Sequence, residues 1–277
     1  MRFGLDVAQQ RMTWGELVDR VQLAESLGFD GAWGFDHFQP MYGDGPGECF
    51  EGYTTLAALT GHTERIRLGL LVSGVTYRPP ALLAAEAITI DHASSGRLEL
   101  AVGAAWFEPE HRALGFDFPP TGARMDLLEE TLEVLDGLLT TDGFSFEGEH
   151  VQIDDATMHP RPVQAPRPPI WIGGGGERRT LPLVARWADA WHCFGGPDTL
   201  AAKGRIVDDL ASEAGRDPAT ILRSASLDLS QPLDDIRRDA AALADVGIGY
   251  AICGWPGEGA ERVEAFATDI APELSDR

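Results

Sequence analysis

The feature that most constrains this chain is an alternation that runs its whole length: short runs rich in β-branched and aromatic residues, separated by longer stretches of helical period. Eight such runs stand out. They are "RFGLDVA" (2–8), "GAWGFDH" (31–37), "RIRLGLLVS" (65–73), "RLELAVGA" (97–104), "PIWIGGG" (169–175), "ADAWHCFG" (188–195), "RSASLDLS" (223–230) and "GYAICGW" (249–255). Between the first two, Leu17, Val21, Ala24 and Leu27 recur at helical spacing, and Gly28 is placed to end the helix. Strands covered by helices read as continuous apolar runs, and parallel neighbours need such crossovers. Eight strand-helix units closing on themselves predict an α/β fold, a (β/α)8 TIM barrel. An open doubly wound sheet is the competitor, but it usually needs fewer strands.

One segment breaks the rhythm. Between "RMDLLEETLEVLDGLL" and the fifth run, the stretch first alternates like a hairpin with Gly148 near its turn, then carries Pro160, Pro162, Pro166, Pro168 and Pro169. A domain linker fits the composition, yet the strand-helix alternation resumes at once beyond it. The chain therefore reads as a single barrel domain, 1–277, with residues 142–169 inserted before the fifth strand as a lid over one rim. Its 277 residues, 44% of them hydrophobic, suffice for one large core.

Charge narrows the partners. A net charge of -22 has the wrong sign for nucleic acid or an anionic membrane, which leaves small molecules. Cys49, Cys193 and Cys253 lie far apart, without the spacing of a disulfide framework or a zinc knuckle. They read as reduced thiols. The N-terminus lacks a basic region followed by an apolar stretch, and no run of eighteen apolar residues occurs. A cytoplasmic location is expected.

In a barrel the chemistry sits at the C-terminal ends of the strands. After the fifth run come Gly173, Gly174, Gly175 and Gly176, then a segment of helical period. Glycines at such a turn let backbone N–H groups converge at a helix N-terminus, where an anion is favoured; a purely structural turn is the alternative. Neither the dinucleotide fingerprint nor a P-loop lysine is present. The second run ends in Asp36 and His37. They could bond a cofactor ring or handle a substrate proton, or they could simply tie down the loop that Pro40 stiffens. After the fourth run, Gly103, Ala104 and Ala105 would let a flat ligand approach the backbone and Trp106 could stack on it, unless they only pack a helix start at Pro109. Glu108, Glu110 and His111 read as first-turn helix residues without a catalytic role, and His192 as core. No histidine pair has the spacing of a helical zinc site and no serine sits in a nucleophile elbow, so neither a metal nor a hydrolase is expected.

Taken together, "GFDGAWGFDHFQP", "ERIRLGLLVSGVTYRPP", "GRLELAVGAAWFEPEHRALGFDFP" and "PIWIGGGGERR" resemble the bacterial luciferase-like monooxygenase superfamily, and within it the branch using the deazaflavin coenzyme F420. The resemblance runs in order through nearly all of the chain. It implies an oxidoreductase that moves hydride between F420 and a small organic substrate. It puts the cofactor phosphate on Gly173 to Gly176 and turns Asp36 and His37 toward ring and substrate. It also implies a non-proline cis peptide at Leu71 and Val72, which with Ser73, Ala104, Ala105 and Trp106 would border the ring, and a homodimer paired through helices near the second and third strands. An FMN-dependent monooxygenase would use the same barrel, and a non-catalytic flavin-binding barrel is a further class. Sugar-phosphate dehydrogenases of this branch carry a catalytic glutamate where this chain has Trp106 and a tryptophan where it has Met41, so that substrate does not carry over.

Overall fold

The computed structural model describes residues 1–275. Eight parallel strands form a ring: β1 (Arg2–Asp6), β2 (Gly31–Gly34), β3 (Arg67–Leu70), β4 (Leu98–Gly103), β5 (Ile170–Gly173), β6 (Ala190–His192), β7 (Leu222–Asp228) and β8 (Tyr250–Gly254). Neighbours in sequence are neighbours in space, and β8 returns to β1 with Tyr250 opposite Arg2 and Gly254 opposite Asp6. Each strand falls on, or within one residue of, the run that forecast it. The ring is closed, which excludes the doubly wound sheet.

Helices make the crossovers for local reasons. The helix Trp14–Ser26 opens on a capping box, in which Thr13 accepts from the Glu16 amide and the Glu16 carboxylate accepts from the Thr13 amide. It buries Leu17, Val21 and Ala24 and stops where Gly28 takes a φ of 81°. Among the described residues no helix is long and apolar enough to cross a membrane.

The barrel interior is filled by large side chains set against residues with almost none. Trp33, Trp171 and Tyr250 are buried and pack edge to face, the two indoles with centroids 4.6 Å apart. Glycines opposite make the room: a Cβ on Gly4 would lie 2.6 Å from Trp33 Nε1, and one on Gly69 2.6 Å from the same indole's Cζ3. The polar tips are matched, with Trp33 Nε1 donating to the Tyr250 hydroxyl at 3.2 Å and Trp171 Nε1 to Glu99 at 2.5 Å. This layer is a floor for whatever lies above it.

Between β3 and β4 the register changes. Gly69 stands opposite Glu99, but Ser73 stands opposite Val102, so four steps on one strand match three on the other. The surplus residue is a bulge, centred on Leu71 and Val72, at the C-terminal end of β3.

The inserted segment forms the expected hairpin, Phe144–Glu147 paired antiparallel with Gln152–Ala156. Its tip lies along the helix Thr121–Thr140, where the Glu130 carboxylate accepts from the amides of Glu149, His150 and Val151. The proline-rich half docks at the N-terminal rim. Buried Asp91 accepts from the Val163 and Gln164 amides, and the Gln164 side chain donates to Leu98 O and accepts from Arg67, at the starts of β4 and β3. The reason is topological, since a helix-to-strand connection must emerge at the end opposite the strand-to-helix loops.

The floor layer gives a test. Trp171→Ala is expected to lower unfolding stability by roughly 3–5 kcal/mol, because it leaves a void and strips Glu99 of its indole donor. Urea unfolding measures this, and a loss under about 1 kcal/mol would show that the layer does not support the barrel.

Candidate active site at the C-terminal mouth of the barrel

The loops after β2, β3, β4, β5 and β6 surround one cavity of about 380 Å³. Most of the residues singled out from sequence meet there: Asp36 and His37, Leu71 and Val72, then Ala104, Ala105 and Trp106, and finally Gly173 and Gly174. Three do not line it. Gly175 and Gly176 lie beyond it, and Ser73 is turned into the shell, its hydroxyl 2.7 Å from that of buried Tyr53.

The peptide between Leu71 and Val72 is cis. Val72 lies between Gly103 and Gly173, where a Cβ on either glycine would come within 2.7 Å of a Val72 methyl. Two glycines thus let an apolar side chain sit flush in the cavity wall.

His37 is held by a residue that the sequence reads as a first-turn helix residue without a catalytic role. Glu110 does occupy the first turn of the helix Glu108–Leu114, but its side chain is fully buried and gathers four hydrogen bonds. Oε1 accepts from the amides of Phe38 and Gln39 at 2.7 and 2.9 Å; Oε2 accepts from Tyr77 Oη at 2.6 Å and faces His37 Nδ1 at 3.0 Å. Burial pushes this carboxyl up, but the donors, His37 foremost, outweigh it and hold it below the usual carboxylate range. An ionised Glu110 can only accept, so Nδ1 of His37 carries the proton. Nε2 has no protein partner among the described residues and accepts when the ring is neutral. His111, also buried, is a structural neighbour: Nδ1 donates to Phe107 O at 2.8 Å and Nε2 meets Thr76 Oγ1 at 2.6 Å.

Asp36 is differently occupied. Its two oxygens accept from Arg78 at 2.5 and 3.1 Å, and Arg78 also reaches Glu51 at 2.8 Å and Glu86 at 3.3 Å. Burial keeps the Asp36 carboxyl above its ordinary range despite that guanidinium. With both oxygens turned to Arg78, its contribution is to fix the start of the loop on which His37 stands.

His192, expected as core, forms part of the cavity floor. It is 2% exposed, with Nδ1 3.0 Å from Ser224 Oγ, and burial lowers its pKa to about 4, so it is neutral.

The glycine turn shows how anions could be held. Gly174 O accepts from Trp191 Nε1 at 2.7 Å, Gly175 O from Lys203 Nζ at 2.5 Å and Gly176 O from the Leu181 amide at 3.0 Å. In a trans peptide the N–H points opposite to the carbonyl. The amides of Gly175, Gly176 and Glu177 therefore face away from these protein partners, ahead of the helix Thr180–Trp187. Lys203, the chain's single lysine, lies behind them.

The mouth is edged by aromatic side chains that sequence reasoning passed over, apart from Trp106. Tyr42, Trp106 and Phe194 are 70%, 67% and 73% exposed. Among the described residues no group of His, Cys, Asp and Glu is placed to hold a metal ion.

Comparison with known proteins finds relatives of this chain. The family model described as luciferase-like monooxygenase matches residues 1–248. An F420-dependent glucose-6-phosphate dehydrogenase of Microbacterium testaceum is 32% identical over 220 residues, 78% of this chain and 64% of that protein. An FMNH2-dependent dimethylsulfone monooxygenase of Pseudomonas putida is 32% identical over 210 residues, 74% of this chain and 56% of that one. Among solved structures, an F420-dependent secondary alcohol dehydrogenase in complex with an F420-acetone adduct superposes with a TM-score of 0.89, covering 99% of this chain and 98% of its own at 17% identity. That last likeness concerns the fold.

The buried imidazole makes a pH prediction. Below the ordinary histidine pKa of 6.5 the unfolded chain takes up a proton that folded His192 refuses until about pH 4. Its contribution is present above pH 6.5 and is lost as pH falls through that window, by roughly 3 kcal/mol at most. His192→Gln should flatten the difference in stability between pH 7.5 and pH 4.5 relative to the parent. Identical differences in denaturant unfolding would remove the assignment.

Proposed function

The chain belongs to the luciferase-like monooxygenase family, and from that premise we propose that it is an oxidoreductase moving hydride between coenzyme F420 and a small organic substrate. The observation that carries the reading is that an apolar backstop and the His37 ring line one cavity, with an amide turn just beyond the wall formed by Gly173 and Gly174. The residues present suit a planar ring with an anionic tail. Leu71 and Val72 would support one face of the ring, and the amides of Gly175 and Gly176 would hold the phosphate, with Lys203 behind them lowering the cost of negative charge. Gly174, whose φ of 123° suits a residue without a Cβ, carries the turn between them.

When bound, the deazaflavin supplies a carbon that accepts or delivers hydride. The protein's part is placement and one proton. His37 Nε2, an acceptor in the neutral ring whose Nδ1–H faces Glu110, would receive the proton of a substrate hydroxyl or return it to a carbonyl. Asp36 acts through Arg78 to position that imidazole, and Tyr77 shares the same carboxylate. The acidic protein needs no nucleic acid or membrane for this chemistry.

FMN would suit the same cavity, and the 32% identity to an FMNH2-dependent enzyme supports that second reading. Titrating the purified protein with F420 and with FMN, followed by fluorescence, separates the two. Tight binding of F420 with reduction or oxidation of the bound cofactor is expected. Binding of FMN alone would overturn the deazaflavin assignment, and binding without any turnover across an alcohol and carbonyl panel would make the protein a carrier.

Two variants test the roles. His37→Ala should keep cofactor affinity and lose most turnover, about a hundredfold or more, and unchanged turnover would reject the role. Glu110→Gln should lower kcat far more than it raises KM and shift the pH profile of kcat, with partial rescue in Glu110→Asp. A variant that loses stability alone, with the profile unmoved, would reduce Glu110 to a structural anchor.

A further inference from the structure

We propose that the outer half of the cavity takes an uncharged, largely apolar substrate, offering one hydroxyl or carbonyl oxygen to His37 Nε2, and turns away phosphorylated and carboxylated molecules. The word substrate rests on the oxidoreductase reading; the binding preference does not.

The first support is charge. No lysine or arginine lines the cavity. The cations nearest Asp36, Tyr42 and Ala104 are engaged elsewhere: Arg78, 7% exposed in its side chain, lies among Asp36, Glu51 and Glu86; Arg11 donates to Tyr42 O and Gly45 O; Arg124 donates to Ala104 O and Pro119 O. Arg178 and Arg179 follow the glycine turn, on the side assigned to the cofactor tail. Lys203 reaches Gly175 O beneath the amide turn, on the side assigned to the cofactor tail. Three carboxylates face one guanidinium behind Asp36, and Glu110 adds another behind His37. An anion entering this half would lose water, meet no cation and feel negative charge from two directions.

The second support is the surface that remains. Six large hydrophobic side chains are exposed among the described residues, and three of them, Tyr42, Trp106 and Phe194, edge this one mouth. Met41 adds a deformable apolar side chain beside them. Clustered exposed aromatics mark a surface built to be covered by an apolar ligand. The polar requirement is then small, since the cavity wall offers His37 Nε2 inside and only the Tyr42 hydroxyl and Trp106 N–H at the exposed rim. A sugar phosphate, with many hydroxyls and a dianion, would find no cation and, as donors, little beyond the Tyr42 hydroxyl and the Trp106 N–H at the rim.

The test needs no turnover. Cyclohexanol, cyclohexanecarboxylate and cyclohexyl phosphate share a skeleton and differ in charge. Their binding can be followed by saturation-transfer NMR and by tryptophan fluorescence, with Trp106→Phe identifying the reporting indole, in protein with and without bound cofactor. Cyclohexanol should bind about tenfold or more tighter than either anion, and Phe194→Arg should shrink that preference about tenfold. Anions binding as tightly as the alcohol, or a preference unmoved by Phe194→Arg, would overturn the proposal. Because cofactor titration is read separately, loss of the redox reading would leave the charge preference standing, and the reverse holds equally.

Discussion

Everything at the mouth of this barrel depends on the way its middle is filled. Trp33, Trp171 and Tyr250 occupy the axis because Gly4, Gly31 and Gly69 leave them the volume. Interiors tolerate neither voids nor overlap, so the large and small positions are mutually obligatory. The consequence is a sealed floor. The cavity bordered by Asp36 and His37 lies above that floor, at the C-terminal end, among the strand tips and their loops.

Above the floor, two loops from distant parts of the chain are joined by a single carboxylate. Glu110, from the loop region after β4, takes amides from Phe38 and Gln39 and the imidazole of His37, all from the loop after β2. A buried carboxylate with this many donors is ionised and immobile, and it passes both properties to the ring it touches. The ion pair of Asp36 and Arg78 does the same for the preceding residue from the other side. His37 is thus held at its backbone and at one nitrogen, with the other left for a ligand.

Much of this was legible in the sequence because it rests on local signals. The apolar runs, the capping box at Thr13 and the Gly28 stop are short-range patterns, and the barrel follows from repeating them. Glycine after β5 and Asp-His after β2 were visible for the same reason: each marks a strand end. Glu110 was not visible as a site residue. Its neighbour Glu108 has the same spacing and the same helix turn, yet Glu108 is 47% exposed in its side chain and pairs with Arg112, while Glu110 is fully buried against residues some seventy positions away. Only tertiary contact tells the two apart. His192 failed similarly, since a strand residue facing the barrel axis reads as core whether or not a cavity begins just above it. The inserted segment was found but no rim was named for it, although counting helix ends would have placed it: a connection that follows a helix emerges where strands begin.

The lone lysine has a practical side. Apart from the terminal amine of Met1, which donates to Leu274 O, Lys203 is the only primary amine in the chain. Acylating reagents and amine-directed crosslinkers therefore have one internal target, and it lies directly beneath the glycine turn. Its rate of acylation, followed by intact-mass spectrometry, would report on that turn alone, a built-in chemical footprint that needs no engineered label.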